Sequence, residues 1–377
     1  MRKTKKSVFI LGIIFISGLS GVVTNRYIFP RLATTKFFAK YDFIKKSTEE
    51  VTIINKTEQI YIKEDASVNK IVSQITASMV NITSYAVAEK TNLPVIKNGT
   101  GLIVASDGLI VTYAGTLLTE NAKYKVATDD GNIYDATLSN IDSYSNLAFL
   151  KINASNLSVA SFANSDEAIP GEKIIAIGND SPVYAPFFAA GILSSFNAYY
   201  NLSEKTIASS EKLEGVFEID LSAQGHYLGG PIVDYAGQIV GITGMVRRNN
   251  LESFFQIPSN KIKLVIDKEL RKEISTNSTL GIYYLPVNKI YASINNLPSE
   301  SGALIYSPSG QQGLSIMANS PAEKAGLKIN DIIISVAGEK IDAQKTLPDL
   351  LYKYKKGEEL ELTILRNGEE LKIKVQL

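Results

Sequence analysis

Covalent or acid–base chemistry in this chain has to be done with one imidazole and no thiol. Among 377 residues there is a single histidine, His226, and no cysteine. An imidazole beside a hydroxyl activates a nucleophile, so one reading makes His226 a general base with Ser222 or another loop serine as its partner. A Ser–Lys pair is the other hydroxyl chemistry the composition permits, and no spacing locates one. The absence of cysteine removes disulfides, thiolate zinc sites, iron–sulfur ligation and a thiol nucleophile. One histidine leaves no room for a His-ligated metal centre, so neither a metal nor a cofactor is expected.

Charge and texture narrow the rest. Lys and Arg number 39 against 38 Asp and Glu, a formal charge of +1. That balance lacks the basic face a nucleic-acid binder uses to displace counterions. With 45% hydrophobic and 20% charged residues the chain is expected to be globular, with two or three domains. Arg2, Lys3, Lys5 and Lys6 precede an uncharged run from Ser7 to Val23, which spans roughly 26 Å as a helix. Within residues 1–29 this predicts a membrane signal-anchor with its basic tip in the cytoplasm and the bulk of the chain outside. A cleaved signal peptide is the alternative. Residues 30–65 read as a stalk.

From Ala66 a helical pattern carries Val68, Ile71, Val72 and Ile75 on one face. Short strand-like runs follow, among them Val80–Val87, Leu109–Tyr113, Leu147–Ile152, Lys173–Ile177, Val216–Asp220 and Ile239–Ile242. Asp107-Gly108 and Asp130-Gly131 mark turns, and the whole predicts a barrel or sandwich. A Lys-rich amphipathic helix is expected over about 260–274, its lysines forming a solvated face. Runs at Leu280–Leu285, Gly313–Met317 and Asp331–Val336, a helix near Pro348–Tyr354 and a hairpin at Asn367-Gly368 then predict a small α+β domain.

Five segments carry a resemblance. They begin at Asn98 (NGTGLIV), Ser106 (SDGLIVT), Asn146 (NLAFLKI), Gly171 (GEKIIAIGN) and Gly229 (GGPIV). Their order and spacing resemble those of the bacterial HtrA/Deg proteases, trypsin-like serine proteases with a C-terminal PDZ domain. The resemblance implies a mainly β fold: a chymotrypsin-like double β-barrel over 66–259, a linker helix region over 260–278 and an α+β PDZ domain over 279–377, preceded by a single N-terminal transmembrane helix. Catalysis in that family needs a Ser, a His and an Asp in fixed roles. Carried over residue by residue, the base position falls on Gly115, the orienting carboxylate on Asn146 and the nucleophile on Leu228. None of the three can perform its role, and losing such a nucleophile or base costs on the order of 10⁶-fold in turnover. The loop before Leu228 carries His226 and Tyr227, and a side chain stands at 226 where the family has the glycine of its oxyanion hole. His226 then reads better as a polar residue in a degenerate loop, since a relocated base needs a new nucleophile and a new orienting group.

In the C-terminal domain, Leu280-Gly281-Ile282 resembles the PDZ carboxylate-binding loop. The resemblance implies that a peptide adds a strand beside Gly281–Tyr284, including Tyr283, and that Leu350, Leu351 and Tyr354 line its pocket or face the core. The expected protein is a membrane-anchored, extracytoplasmic pseudoprotease that binds polypeptide C-termini or unfolded proteins as a chaperone, adaptor or regulator. The family implies a homo-trimer or mixed oligomers with an active paralogue. An active serine endopeptidase and a purely structural scaffold are the competing readings.

Overall fold

A computed structural model of the chain describes residues 16–21, 23, 24, 28, 68–87, 93–179, 185–203, 207–248, 251–310 and 314–377. Two units separate by contact, Met1–Lys70 and Ile71–Leu377. Most of the expected anchor and all of the expected stalk lie outside the described residues. No helix among the described residues is long and apolar enough to cross a membrane.

The larger unit begins in the helix over 68–76, which buries Ile71 and Ile75. Six strands then close a first barrel: β1 (Met79–Val87), β2 (Pro94–Ala105), β3 (Leu109–Tyr113), β4 (Lys123–Thr128), β5 (Ile133–Ile141) and β6 (Leu147–Ile152). Alternate residues of these strands point inward, and Val80, Ile82, Ile103, Ile110, Val126 and Leu150 fill the interior. In chain order, β7 (Lys173–Gly178), β8 (Phe187–Asn201), β9 (Ala208–Ser209), β10 (Glu214–Asp220), β11 (Pro231–Val233), β12 (Ile239–Arg248) and β13 (Leu251–Pro258) follow. All but β9 close a second barrel around Ile174, Leu193, Phe217, Ile219 and Ile232. The strand runs read from the sequence fall within these elements, because closed barrels bury one face of every strand and impose the period of two.

The last domain is a sheet of β14 (Tyr283–Val287), β15 (Gly302–Ile305), β16 (Ile332–Val336), β17 (Glu339–Lys340), β18 (Glu359–Arg366) and β19 (Glu369–Gln376), packed under a short helix, Leu347–Tyr352. The strand expected over Gly313–Met317 does not form among the described residues; Ile316 makes only an isolated bridge to Ile282. The open edge of this sheet beside β14 is completed by β9 of the second barrel's chain, with Tyr283 opposite Ser209 and Tyr284 opposite Ala208.

The linker helix, Ser259–Leu270, corrects the expected solvated lysine face. Lys261 is largely buried and pairs with Asp349 of the groove helix at 2.6 Å. Lys268 is 3% exposed and lies 4.2 Å over the Tyr352 ring. Docking of the small domain removes both ammoniums from water, and a carboxylate and a ring face compensate them. Tyr352 also stacks on Tyr144 with ring centroids 4.2 Å apart and donates to buried Asp142 at 3.0 Å, while Tyr144 donates to Asp349.

Glu214 sits in the same seam, 2% exposed. One of its carboxyl oxygens accepts from the Tyr284 hydroxyl and the other has no hydrogen-bond partner among the described residues. Burial pushes its pKa from the usual 4.5 up to about 8, with Asp349 adding to the rise and the Tyr284 hydroxyl and Lys261 opposing it. A carboxyl whose folded pKa is raised stabilises the fold below the unfolded value, and that stabilisation is lost as pH rises through the folded value. Urea unfolding of the full chain between pH 4.5 and 8 is therefore expected to carry a destabilising slope of up to about 1.4 kcal/mol per pH unit from this group. Glu214→Gln should remove that component, and an unchanged slope in the variant would contradict the assignment.

Candidate functional site

The cleft between the barrels is where a two-barrel peptidase places its chemistry, and here it is an open cavity of about 390 Å³. Lys97, Tyr113, Gly115 and Asn146 line it from the first barrel, and Met245 and Arg247 from the second. Gly115 follows β3 in a single 3-10 turn, and Asn146 precedes β6 with φ +59°, a left-handed conformation that asparagine tolerates. The two loops are tied together where Ala114 N–H donates to the Asn146 carbonyl at 2.8 Å. The structure thus brings Gly115 and Asn146 to one wall, while Leu228 lies half-buried at the end of a turn of the second barrel and is not among the lining residues.

A ring stands on one side of Gly115. A Cβ at 115 would meet the Tyr113 ring at 2.8 Å. Tyr113 is 3% exposed, donates to the Met245 carbonyl at 2.7 Å and packs edge-on against Phe255. Cations border the cavity: Lys97 donates from Nζ to the Gly115 carbonyl, and Lys212 reaches the Asn146 side-chain oxygen at 3.4 Å. Partial burial lowers the Lys97 pKa.

An oxyanion site needs two amides that point at empty space. Residues Gln224–Tyr227 instead form a 3-10 turn entered from Ala223 in a left-handed conformation. Within it His226 N–H donates to the Ala223 carbonyl at 3.1 Å and Leu228 N–H to the Gly225 carbonyl at 3.3 Å. Both amides are spent on the turn itself. The His226 side chain is exposed, its ring edge-to-face with Phe187, and the buried Tyr227 packs on the same phenyl ring. Ser222 is exposed before the turn. Gly230 keeps the loop close to the barrel, since a Cβ there would meet the Ile177 carbonyl oxygen at 2.1 Å.

The loop of the small domain is better formed than the cleft. Gly281 has φ +82°, and the amides of Leu280, Gly281 and Ile282 converge on one spot. That spot is occupied by the chain's own residues. Glu211 Oε1 accepts from Leu280 N–H at 3.1 Å and from Gly281 N–H at 2.8 Å, and Ser210 Oγ accepts from Ile282 N–H at 3.1 Å. Sequence reasoning missed these two residues, which lie some seventy positions upstream. Of the side chains read as groove-lining, Leu350 and Leu351 are 1% and 3% exposed and belong to the domain core with Ala208, while Tyr354 packs at its margin. Tyr283 is half-buried on the strand, and Tyr284 is buried with its hydroxyl on Glu214.

Comparisons with known proteins agree with this architecture. Residues 99–242 match the trypsin-like peptidase domain and 293–377 the PDZ domain. A probable periplasmic serine endoprotease DegP-like of Bartonella henselae is 30% identical over 283 residues, 74% of this chain and 52% of that protein. Serine protease HTRA1 of Xenopus tropicalis is 28% identical over 311 residues, 81% of this chain and 65% of its own length. The chain thus spans about half the length of several curated relatives it matches. The solved HtrA-type protease AlgW with tripeptide superposes with a TM-score of 0.62 at 22% identity, covering 81% of this chain and 95% of that one. A peptidase domain followed by a PDZ domain, the relatives that share this order and two closed six-stranded barrels together place the chain in the HtrA family.

Proposed function

We propose that the protein is a non-cleaving member of this family, a pseudoprotease that binds polypeptide C-termini or unfolded chains and works as a chaperone, adaptor or regulator in envelope protein quality control. One observation carries the reading: the positions that the family resemblance assigns to the triad hold Gly115, with no side chain, Leu228, with no proton to give, and Asn146, with no charge to stabilise an imidazolium. The Tyr113 ring beside Gly115 and the internally bonded amides of His226 and Leu228 support it, because restoring chemistry would require more than restoring one side chain.

Peptide binding draws support from the formed carboxylate loop and from the solved AlgW structures with tripeptide and with decapeptide. Extracytoplasmic placement draws on the periplasmic naming of relatives and on the basic cluster ahead of the apolar run. We read that run as a membrane anchor with a cytoplasmic N-terminus. Assembly as a homo-trimer, or with an active paralogue, belongs to the same proposal by family resemblance. The second reading, an active serine endopeptidase, is favoured by the names its relatives carry.

The full chain, incubated with casein and separately with a fluorophosphonate serine-hydrolase probe, should give neither cleavage nor labelling above the level of a heat-denatured control. Casein cleavage and labelling that one serine substitution abolishes would establish the endopeptidase instead.

A further inference from the structure

We propose that Ala208–Glu211 is an internal ligand of the PDZ carboxylate loop, and that the free C-terminus of a partner polypeptide enters this groove by displacing it. The proposal rests on the peptide-reading role given above and adds its regulation. The segment presents what an extended peptide with a terminal carboxylate presents. Its backbone pairs antiparallel with β14, Ser209 opposite Tyr283 and Ala208 opposite Tyr284. Ser210 N–H continues the ladder to the Ile282 carbonyl at 3.1 Å. Just beyond, a carboxylate oxygen takes the Leu280 and Gly281 amides.

In a peptide ending at the position of Ser210, that anion would be the main-chain carboxylate. Here the chain runs on to Lys212, and Glu211 folds its side chain back into the place. Two hydroxyls hold it there, Ser209 Oγ on Oε2 at 2.9 Å and Ser210 Oγ on Oε1 at 2.6 Å. Being tethered, the segment competes at an effective concentration in the millimolar range for short flexible tethers, so an incoming peptide has to outbid it.

The internal ligand also reports what the groove accepts. Ala208 is 5% exposed and packs among Leu280, Tyr284 and Leu350 in the domain core, so the residue two before the terminus should carry a small side chain. Beyond Ala208 the groove is open, a cavity of about 500 Å³ lined by Tyr199, Tyr284, Pro286, Val287 and Leu347 among others. Upstream residues of a partner peptide would run there.

Fluorescence anisotropy of the full chain with a fluorescein-labelled synthetic copy of residues 201–210, ending in the free carboxylate of Ser210, measures the competition. Glu211→Ala should bind at least about tenfold more tightly than wild type, since the competent state is no longer a minor population. The same peptide with a C-terminal amide should bind neither. A second variant, Ser209→Cys with Tyr283→Cys in a chain that has no native cysteine, should lose binding when oxidised and regain it when reduced. This pair decides the matter even if Glu211→Ala fails to fold. Equal affinity for wild type and Glu211→Ala, with the oxidised pair still binding, overturns displacement and leaves the peptide-reading role standing. Absence of binding by Glu211→Ala and by the reduced pair alike overturns that role, and displacement with it.

Discussion

A carboxylate set against converging backbone amides is the contact on which the arrangement of this molecule turns. Leu280 and Gly281 hold their amides in a buried loop, and an amide left unpaired in such a place costs about 1–3 kcal/mol. Glu211 removes that cost, and in doing so fixes the residues on either side of it. Ala208 and Ser209 become a strand of the PDZ sheet, and Lys212 is carried to the Ser143 carbonyl at 2.6 Å and to Asn146 at the rim of the cleft between the barrels. Around this contact the seam closes with Glu214 on Tyr284, Lys261 on Asp349 and Tyr144 on Tyr352. Each is a polar group whose partner lies on the other domain, so the seam is specified by complementarity as well as by apolar area.

On the proposed non-cleaving reading, the cleft is a scaffold kept without its chemistry. Barrel closure depends on inward side chains and on close backbone approach, and both persist: Gly230 still lies against Ile177, and Thr112 still bonds the Thr100 carbonyl. Catalytic geometry depends on groups held away from their own local partners. Here the His226 and Leu228 amides are bonded inside a 3-10 turn and the Tyr113 ring lies where a side chain at 115 would be. The lysines at 97 and 212 then leave the cleft cationic in character.

Much of this was legible in the sequence, for reasons that differ by element. The barrel strands and the PDZ strands announce themselves through period-two patterning and glycine turns, because burial of one face is a local constraint. The positions that the resemblance assigns to the triad can be located because the flanking motifs are retained. The strand β9 was not legible, since its two residues have no period and their partners lie some seventy positions away. The Lys-rich helix misled for a related reason. Its lysines look solvated until Asp349 and Tyr352, far downstream, are brought over them. Leu350 and Leu351 proved to be core residues, a distinction that a six-residue helix cannot express in its spacing.

Self-occupancy of the groove is read most directly from hydrogen exchange at the amides of Leu280, Gly281 and Ile282 in the full wild-type chain, followed by NMR without any added peptide. Bonded to Glu211 and Ser210, these three amides should exchange at least about a hundredfold more slowly than an unstructured loop, an opening free energy of roughly 3 kcal/mol. Exchange at the rate of a free loop in the wild-type chain would mean that the groove stands open, and that the internal ligand is not there.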